Sequence, residues 1–158
     1  MNKMLEKQTL ITTSLTVKQI QNIVANYFDT RKNIIVPNVS FGLLPYEADM
    51  LILNKSGYLT EVEIKRSWRD FVADFKKKHS HDSQLVKYFY YAIPEFLTER
   101  VVEFMRDKKL ICGFLVYNED GYIKSISRCG DGRYHRRLFL EEQLKLARLG
   151  CIRIWKNN

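Results

Sequence analysis

Residues 47–65 read EADMLILNKSGYLTEVEIK. Two runs rich in apolar residues flank the turn sequence NKSG at residues 54–57, a pattern that predicts a β-hairpin. The two strands are expected over residues 48–53 and 58–65. The rest of the fold is predicted outward from this hairpin.

Charged side chains follow a strict alternation at the end of the second strand. Because successive side chains point to opposite faces of a strand, Glu61, Glu63 and Lys65 are expected to share one face. Asp49 lies on the first strand, where the hairpin would bring it beside Glu63. Two acids and a lysine on adjacent strands are what a magnesium-dependent phosphodiesterase needs.

Helical and strand patterns alternate along the rest of the chain. Thr16 and Gln19 have the spacing of a capping box, which predicts a first helix from Val17 to Phe28. Further strands are expected over 33–41, 87–93, 111–117 and 122–127. Further helices are expected over 67–78, 95–108 and 138–149, with Gly150 just past the last helix and a short strand over 151–155. The order α-β-β-β-α-β-α-β-β-α predicts one α/β domain over residues 1–158, with a central mixed sheet covered on both faces.

Composition limits the functions open to the chain. Its 158 residues carry no apolar run of 18 residues, so we expect no transmembrane helix and no membrane partner. No apolar stretch of signal-peptide type follows the charged start, which predicts a cytoplasmic protein. The net charge of +8 favours a polyanionic partner.

Basic residues cluster in two places. One group directly follows the hairpin and comprises Arg66, Arg69, Lys76, Lys77 and Lys78. The other lies near the C-terminus and comprises Lys124, Arg128, Arg133, Arg136 and Arg137. Both groups could track phosphates, and both could equally be solvated surface. The aromatic run YFYY at residues 88–91 is predicted to be core, in preference to a base-stacking surface.

Hydrolysis of a phosphodiester sets the chemical requirements of the predicted site. A metal must neutralise the phosphate and activate a water, and Mg²⁺ prefers a few carboxylates plus waters. Asp49 and Glu63 can supply the carboxylates. The Ile64 carbonyl, which lies beside them on the strand, can supply a further oxygen. Lys65 can orient the water or stabilise the charge of the transition state. We therefore expect Mg²⁺ as cofactor, with Mn²⁺ as its substitute.

An exposed hairpin with a charged outer face would give the same alternation. The predicted helices argue against it, because both faces of a central strand should be covered. Carboxylates packed under such a cover repel one another unless a cation joins them. A covered hairpin therefore predicts a metal.

The ordered motifs resemble those of a nuclease superfamily. Asp49 followed by Glu63-Ile64-Lys65 on a hairpin between two helices resembles the PD-(D/E)XK superfamily, although Ala48 stands where its members usually have proline. A longer resemblance, to the MmcB family of bacterial DNA-repair proteins, is carried by EAD at 47–49, EVEIK at 61–65, SxxDFxxDxK at 67–76, FYYAIP at 89–94 and GFLV at 113–116.

The resemblance implies a restriction-endonuclease-like fold and a DNA-cleaving repair nuclease with Asp49, Glu63 and Lys65 as catalytic residues. It also implies supporting roles for Glu47, Glu61, Asp74 and Lys76, with Glu61 as a second ligand or the partner of an arginine. The first helix of such folds often adds a carboxylate, but here the candidates are uncharged (Gln19, Gln21 and Asn22), which favours one metal over two. Many duplex cutters are dimers, so a homodimer is a further expectation. The alternative is a non-catalytic nucleic-acid-binding module on the same fold.

Overall fold

A computed structural model describes residues 11–40, 42–76, 83–108, 112–127 and 135–156. The helices within these ranges are α1 (Val17–Phe28), α2 (Trp68–Asp74), α3 (Thr98–Asp107) and α4 (Leu140–Lys156), and a 3₁₀ turn (Glu95–Leu97) precedes α3. The strands are β1 (Ile34–Val39), β2 (Ala48–Leu53), β3 (Leu59–Ile64), β4 (Val86–Pro94), β5 (Gly113–Tyr117) and β6 (Ile123–Ser127). The predicted order of elements is confirmed.

The strands form one mixed sheet in the order β1-β2-β3-β4-β5-β6. β4 runs parallel to both β3 and β5, and the other neighbours are antiparallel. The two parallel pairs are those joined through a helix, as the length of a parallel crossover requires. The α/β class with a central mixed sheet is therefore confirmed.

Helix α1 begins and ends where the sequence predicted. The Thr16 hydroxyl accepts from the Gln19 amide at 3.3 Å, and the Gln19 side chain accepts from the Thr16 amide at 2.8 Å, which completes the capping box. Ile20 and Val24 are buried against the sheet. Asp29, with φ of 60°, closes the helix in a conformation that few non-glycine residues adopt.

Strand β3 is buried on both faces. Its even-numbered residues Val62 and Ile64 belong to the core cluster that includes Ile20 and Val24 of α1. On the other face, one cluster includes Leu146 of α4 and another includes Phe71 of α2. The charged residues of β3 lie on this second face. Glu61 is fully buried, and the hairpin is covered as predicted, so the exposed-hairpin alternative is wrong.

The C-terminal prediction is wrong in one respect. We expected a helix to end at Leu149 and a strand to follow, whereas α4 continues through Gly150 to Lys156. A Cβ at Gly150 would lie 3.2 Å from Val36 Cγ2 of β1. The glycine thus serves the close approach of α4 to the sheet, and it does not end the helix.

Helix α2 is shorter than the predicted 67–78. The Phe75 and Lys76 amides donate to carbonyls three residues back, at Val72 and Ala73, and this tighter turn ends the α-helix at Asp74. Residues 77 and 78 lie outside the described ranges. None of the helices within those ranges is long and apolar enough to cross a membrane.

Candidate active site

Asp49 and Glu63 brace each other across the β2–β3 hairpin. The Ile64 amide donates to Asp49 Oδ2 at 2.8 Å, and the Asp49 amide donates to Glu63 Oε1 at 3.2 Å. The residue pairing of β2 with β3 ends at Met50 and Val62. Beyond that pair the Asp49 carboxylate takes the place of a backbone acceptor, so the predicted neighbourhood of Asp49 and Glu63 is confirmed.

Lys65 completes a buried ionic cluster. Its Nζ lies 3.2 Å from Glu63 Oε2 and 3.0 Å from Asp74 Oδ1, and its side chain is 3% exposed. The Tyr91 hydroxyl donates to Asp74 Oδ2 at 2.8 Å. Helix α2 thereby places Asp74 beside the lysine, in the supporting position that the family resemblance implied, and β4 places the tyrosine there.

The backbone of Lys65 is held as firmly as its side chain. The Lys65 amide donates to the Ala92 carbonyl of β4 at 2.9 Å. The Tyr117 hydroxyl of β5 donates to the Lys65 carbonyl at 2.9 Å. With main chain and ammonium group both fixed, Lys65 has one orientation, directed between the two acids.

Tyr91 acts in this cluster as a permanent hydrogen-bond donor. Burial raises the pKa of its hydroxyl far above the usual range, and the charges of Asp74 and Glu63 raise the pKa further. Both causes disfavour the phenolate. The protonated hydroxyl therefore remains a donor to Asp74 at a pH at which an exposed tyrosine would already ionise.

Glu61 lies deeper along the same face. The Tyr46 hydroxyl donates to Glu61 Oε2 at 2.8 Å, so a phenol partners this carboxylate among the described residues. Because Glu61 is fully buried, this bond offsets part of the cost of burying its polar group. This position favours a structural role for Glu61, with Tyr46 as the partner shown where an arginine was expected.

A cleft of about 210 Å³ opens beside Asp49, and Glu47, Ser40 and Arg153 also line it. Glu47 is exposed at the rim and Asp49 is half-buried. The Arg153 guanidinium donates to the Asn38 carbonyl, so α4 places a cation in the cleft. Arg153 was not predicted as a site residue because its helix was expected to end at Leu149.

The first helix reaches this cleft through Gln21. The Gln21 amide donates to Asn38 Oδ1 at 2.9 Å, and Asn38, with φ of 51°, lines the cleft. Of the three predicted positions on α1, Gln19 serves the capping box and Asn22 is exposed. Gln21 alone is therefore connected to the site.

The basic residues after the hairpin separate into two kinds. Arg66 is half-buried and its guanidinium donates to the Thr13 carbonyl at 3.3 Å, which ties it to the segment before α1. Arg69 and Lys76 are exposed on α2 and the turn after it. Lys77 and Lys78 lie outside the described ranges. Arg69 and Lys76 are therefore the members of this group that the structure places at the surface.

The donor atoms around Asp49 suit a hard cation. Asp49 Oδ2 accepts one amide, while Oδ1 has no hydrogen-bond partner within the described ranges. An extended residue directs its N–H and C=O to the same neighbouring strand, so the Ile64 carbonyl would also face β2. No group of three or more His, Cys, Asp or Glu side chains suited to a metal occurs in those ranges. Mg²⁺ is usually held by one or two carboxylates and several waters, and Asp49, Glu63 and Ile64 meet that requirement.

Comparison with known proteins bears on the fold. The chain is similar to the SPO1766 protein of unknown function from Silicibacter pomeroyi, with a TM-score of 0.61, 16% sequence identity, and coverage of 92% of this chain and 90% of that chain. At this identity the likeness shows a shared fold. No protein-family model matches the chain, and no curated protein matches it.

Proposed function

We propose that this protein is a magnesium-dependent nuclease that hydrolyses DNA phosphodiester bonds. One observation carries the proposal: Asp49 and Glu63 are braced across two adjacent strands, with Lys65 bonded to Glu63. An acid pair with a lysine, beside an open cleft, is suited to binding a divalent cation and a phosphate together.

The roles of the residues follow from their positions. Asp49, Glu63 and the Ile64 carbonyl would hold Mg²⁺, with Mn²⁺ as its substitute, and the bound metal would supply charge neutralisation and an activated water. Arg153 adds a cation on the cleft wall that can pair with a substrate phosphate. Glu47 stands at the rim, where it can accept a proton from water.

In this proposal Lys65 acts through the fixed position of its ammonium group. Asp74 and Glu63 hold its ammonium from two sides, and Tyr91 in turn orients Asp74. A charge that is fixed before substrate arrives costs no reorganisation during the reaction. Asp74 is thus a positioning residue in this proposal.

The wider biological role rests on the sequence resemblance to the MmcB family and the PD-(D/E)XK superfamily. We propose, on that basis, a role in DNA repair in the cytoplasm and assembly as a homodimer. Arg69 and Lys76, both exposed, would contact the DNA backbone together with Lys77 and Lys78.

A non-catalytic nucleic-acid-binding module is the second candidate, and the burial of Lys65 favours it. A lysine that is 3% exposed and bonded to two acids can serve as their counterion without meeting a substrate. In a binding module of this kind, the charged face stabilises the sheet, and the basic surface of α2 binds the nucleic acid.

Cleavage assays test the first candidate. Purified protein with Mg²⁺ or Mn²⁺ should cut at least one DNA among single-stranded, duplex, branched and damaged substrates. Asp49→Asn should abolish cutting while the circular dichroism spectrum stays native. Glu103→Gln, which changes an exposed carboxylate on α3, is the matched control and should cut normally. Cleavage that survives Asp49→Asn would exclude this site.

Metal and DNA binding separate the two candidates. Calorimetric titration with Mg²⁺ should give one saturable site in the wild type and none in Glu63→Gln if the nuclease proposal holds. Arg69→Glu with Lys76→Glu should weaken DNA binding under either candidate. Retained DNA binding by the wild type, with neither a metal site nor cleavage, would establish the binding module.

A further inference from the structure

A second cleft lies on the opposite face of the sheet, beneath the C-terminal end of α1. Its volume is about 370 Å³, within the range of small-molecule sites. Thr60 of β3 and Ile52 of β2 lie on the strands beneath it, and Tyr88 and Tyr90 reach it from β4. Thr60 is three residues from Glu63, which corresponds to about 10 Å along a strand, and it points the other way. The cleft is therefore separate from the candidate active site.

Three side chains of this cleft each leave one polar group without a hydrogen bond within the described ranges. Thr60 is 6% exposed, and its hydroxyl makes no hydrogen bond there. Asn54 Oδ1 accepts from the Ser56 and Tyr58 amides at 2.9 and 3.0 Å, so its NH₂ group is the end left for a ligand. Asn33 donates its NH₂ to the Phe28 carbonyl, which leaves its oxygen as an acceptor.

Thr60 is buried as a residue, but its hydroxyl is not among the buried, unbonded atoms of the described residues, so it faces the open cleft. One hydroxyl, one amide donor and one amide acceptor thus line a single cleft. They match the mixed donors and acceptors along the edge of a nucleobase, which amide side chains commonly recognise.

The walls of the cleft are aromatic. Phe28 packs edge to face against Tyr90, with ring centroids 6.3 Å apart, and Tyr27 packs against Phe28 at 5.2 Å. Tyr27 is 43% exposed, and Tyr88 is half-buried. Aromatic side chains are the usual stacking surfaces for bases, and stacking contributes about 1–3 kcal/mol per base.

One cation stands next to this wall. Lys87 Nζ lies 5.4 Å from the centroid of the Tyr88 ring. A phosphate attached to a base in the cleft would find positive charge close by.

From these observations we infer that the cleft formed by Tyr27, Phe28, Asn33, Asn54, Thr60 and Tyr88 binds a nucleobase. The base belongs either to a free nucleotide or to a nucleic-acid strand, because both present the same ring and phosphate. This inference does not depend on the proposed nuclease activity.

Nuclear magnetic resonance titration tests the inference with four probes: deoxyadenosine monophosphate, thymidine monophosphate, a short single-stranded DNA, and inorganic phosphate. At least one nucleotide or the DNA should bind saturably and shift the Thr60 and Tyr88 amide signals. Thr60→Val should weaken that binding about tenfold, the equivalent of one lost hydrogen bond. Thr98→Val makes the same change on α3, at a residue that does not line the cleft, and should leave nucleotide binding unchanged.

The source of the base follows from the comparison of probes. Equal affinity for the mononucleotide and the DNA indicates a free nucleotide, and affinity for the DNA alone indicates a strand. Tyr88→Leu, which keeps an apolar wall and removes the stacking ring, should also weaken binding. Inorganic phosphate binding as well as the nucleotides, or unchanged affinity in both Thr60→Val and Tyr88→Leu, would overturn the inference. The Thr60 and Tyr88 signals report this cleft and DNA cleavage reports the Asp49 site, so failure of the nuclease proposal would be seen separately.

Discussion

The two faces of β3 differ in how their polar groups are satisfied. On one face, Glu63 and Lys65 are bonded to each other, and Asp74 closes the far side of the lysine. On the other face, Thr60 is almost as deeply buried, yet its hydroxyl has no partner in the described parts of the chain. Burial alone therefore does not distinguish a structural polar group from one that awaits a ligand.

On the charged face, the side chains of Glu63, Lys65 and Asp74 all have partners within the chain. The ammonium of Lys65 supplies the cation that the covered-hairpin argument required, so burial of Glu63 by itself does not demand a metal. On that face, Asp49 Oδ1 lies at the edge of the cleft and has no hydrogen-bond partner among the described residues. A metal would be recruited there, at the periphery of the cluster.

Removing the ammonium group of Lys65 should destabilise the charged face of β3. Lys65→Met would leave Glu63 and Asp74 buried without their counterion, and loss of one partner from a buried pair costs about 3–5 kcal/mol. We expect the midpoint of urea unfolding to fall accordingly.

Two further variants test the cause of that loss. Lys76→Met, a change of the same kind on an exposed side chain, should alter the free energy of unfolding by less than about 0.5 kcal/mol. Adding Asp74→Asn to Lys65→Met should recover part of the stability, because one buried negative charge is then removed. If the double variant is as unstable as the sum of the two single variants, the charges are not coupled.

Local sequence patterns predicted the helices and strands that form the site and several of its side chains. The capping box at Thr16 located α1, and alternation placed Glu63 and Lys65 on one face of a covered strand. The supporting role of Asp74 was implied by the family resemblance, and the helical pattern after the hairpin predicted the helix that carries it. These features depend on residues close in sequence, where periodicity is informative.

Contacts between distant segments were beyond prediction. Tyr46 and Tyr91 were not assigned to the polar cluster, because an aromatic residue gives no sign of where its hydroxyl will point. Arg153 was missed with the end of α4. Gly150 was taken as a stop signal, whereas the close approach of Val36 explains it. Each miss depends on which surfaces pack together, and a pattern along the chain does not contain that information.

High pH should weaken the charged face through Tyr91. Because its folded pKa is raised, chiefly by burial, the neutral hydroxyl stabilises the native state below the ordinary tyrosine pKa near 10. That contribution is lost progressively as the pH rises above this value. The free energy of unfolding should therefore fall between about pH 9 and 11.

Tyr91→Phe isolates this effect. At pH 7 it should cost about 1–3 kcal/mol, because Asp74 loses a buried donor. Above the ordinary tyrosine pKa its stability should depend less on pH than that of the wild type. Burial also raises the pKa of Tyr117, so part of the slope should persist and should shrink further in a variant with both tyrosines replaced. An unchanged slope in Tyr91→Phe would contradict this account.

The smallest effect should come from the opposite face of the same strand. Thr60→Val replaces a hydroxyl that has no partner among the described residues with a methyl group of the same shape, so no hydrogen bond between those residues is lost. Urea unfolding without ligand should give a free energy equal to or slightly above that of the wild type. A loss of more than about 1 kcal/mol would mean that the hydroxyl is bonded within the free protein. A hydroxyl that contributes nothing to stability but strengthens nucleotide binding would distinguish the two faces of β3: the chain satisfies its own polar groups on one and leaves them for a ligand on the other.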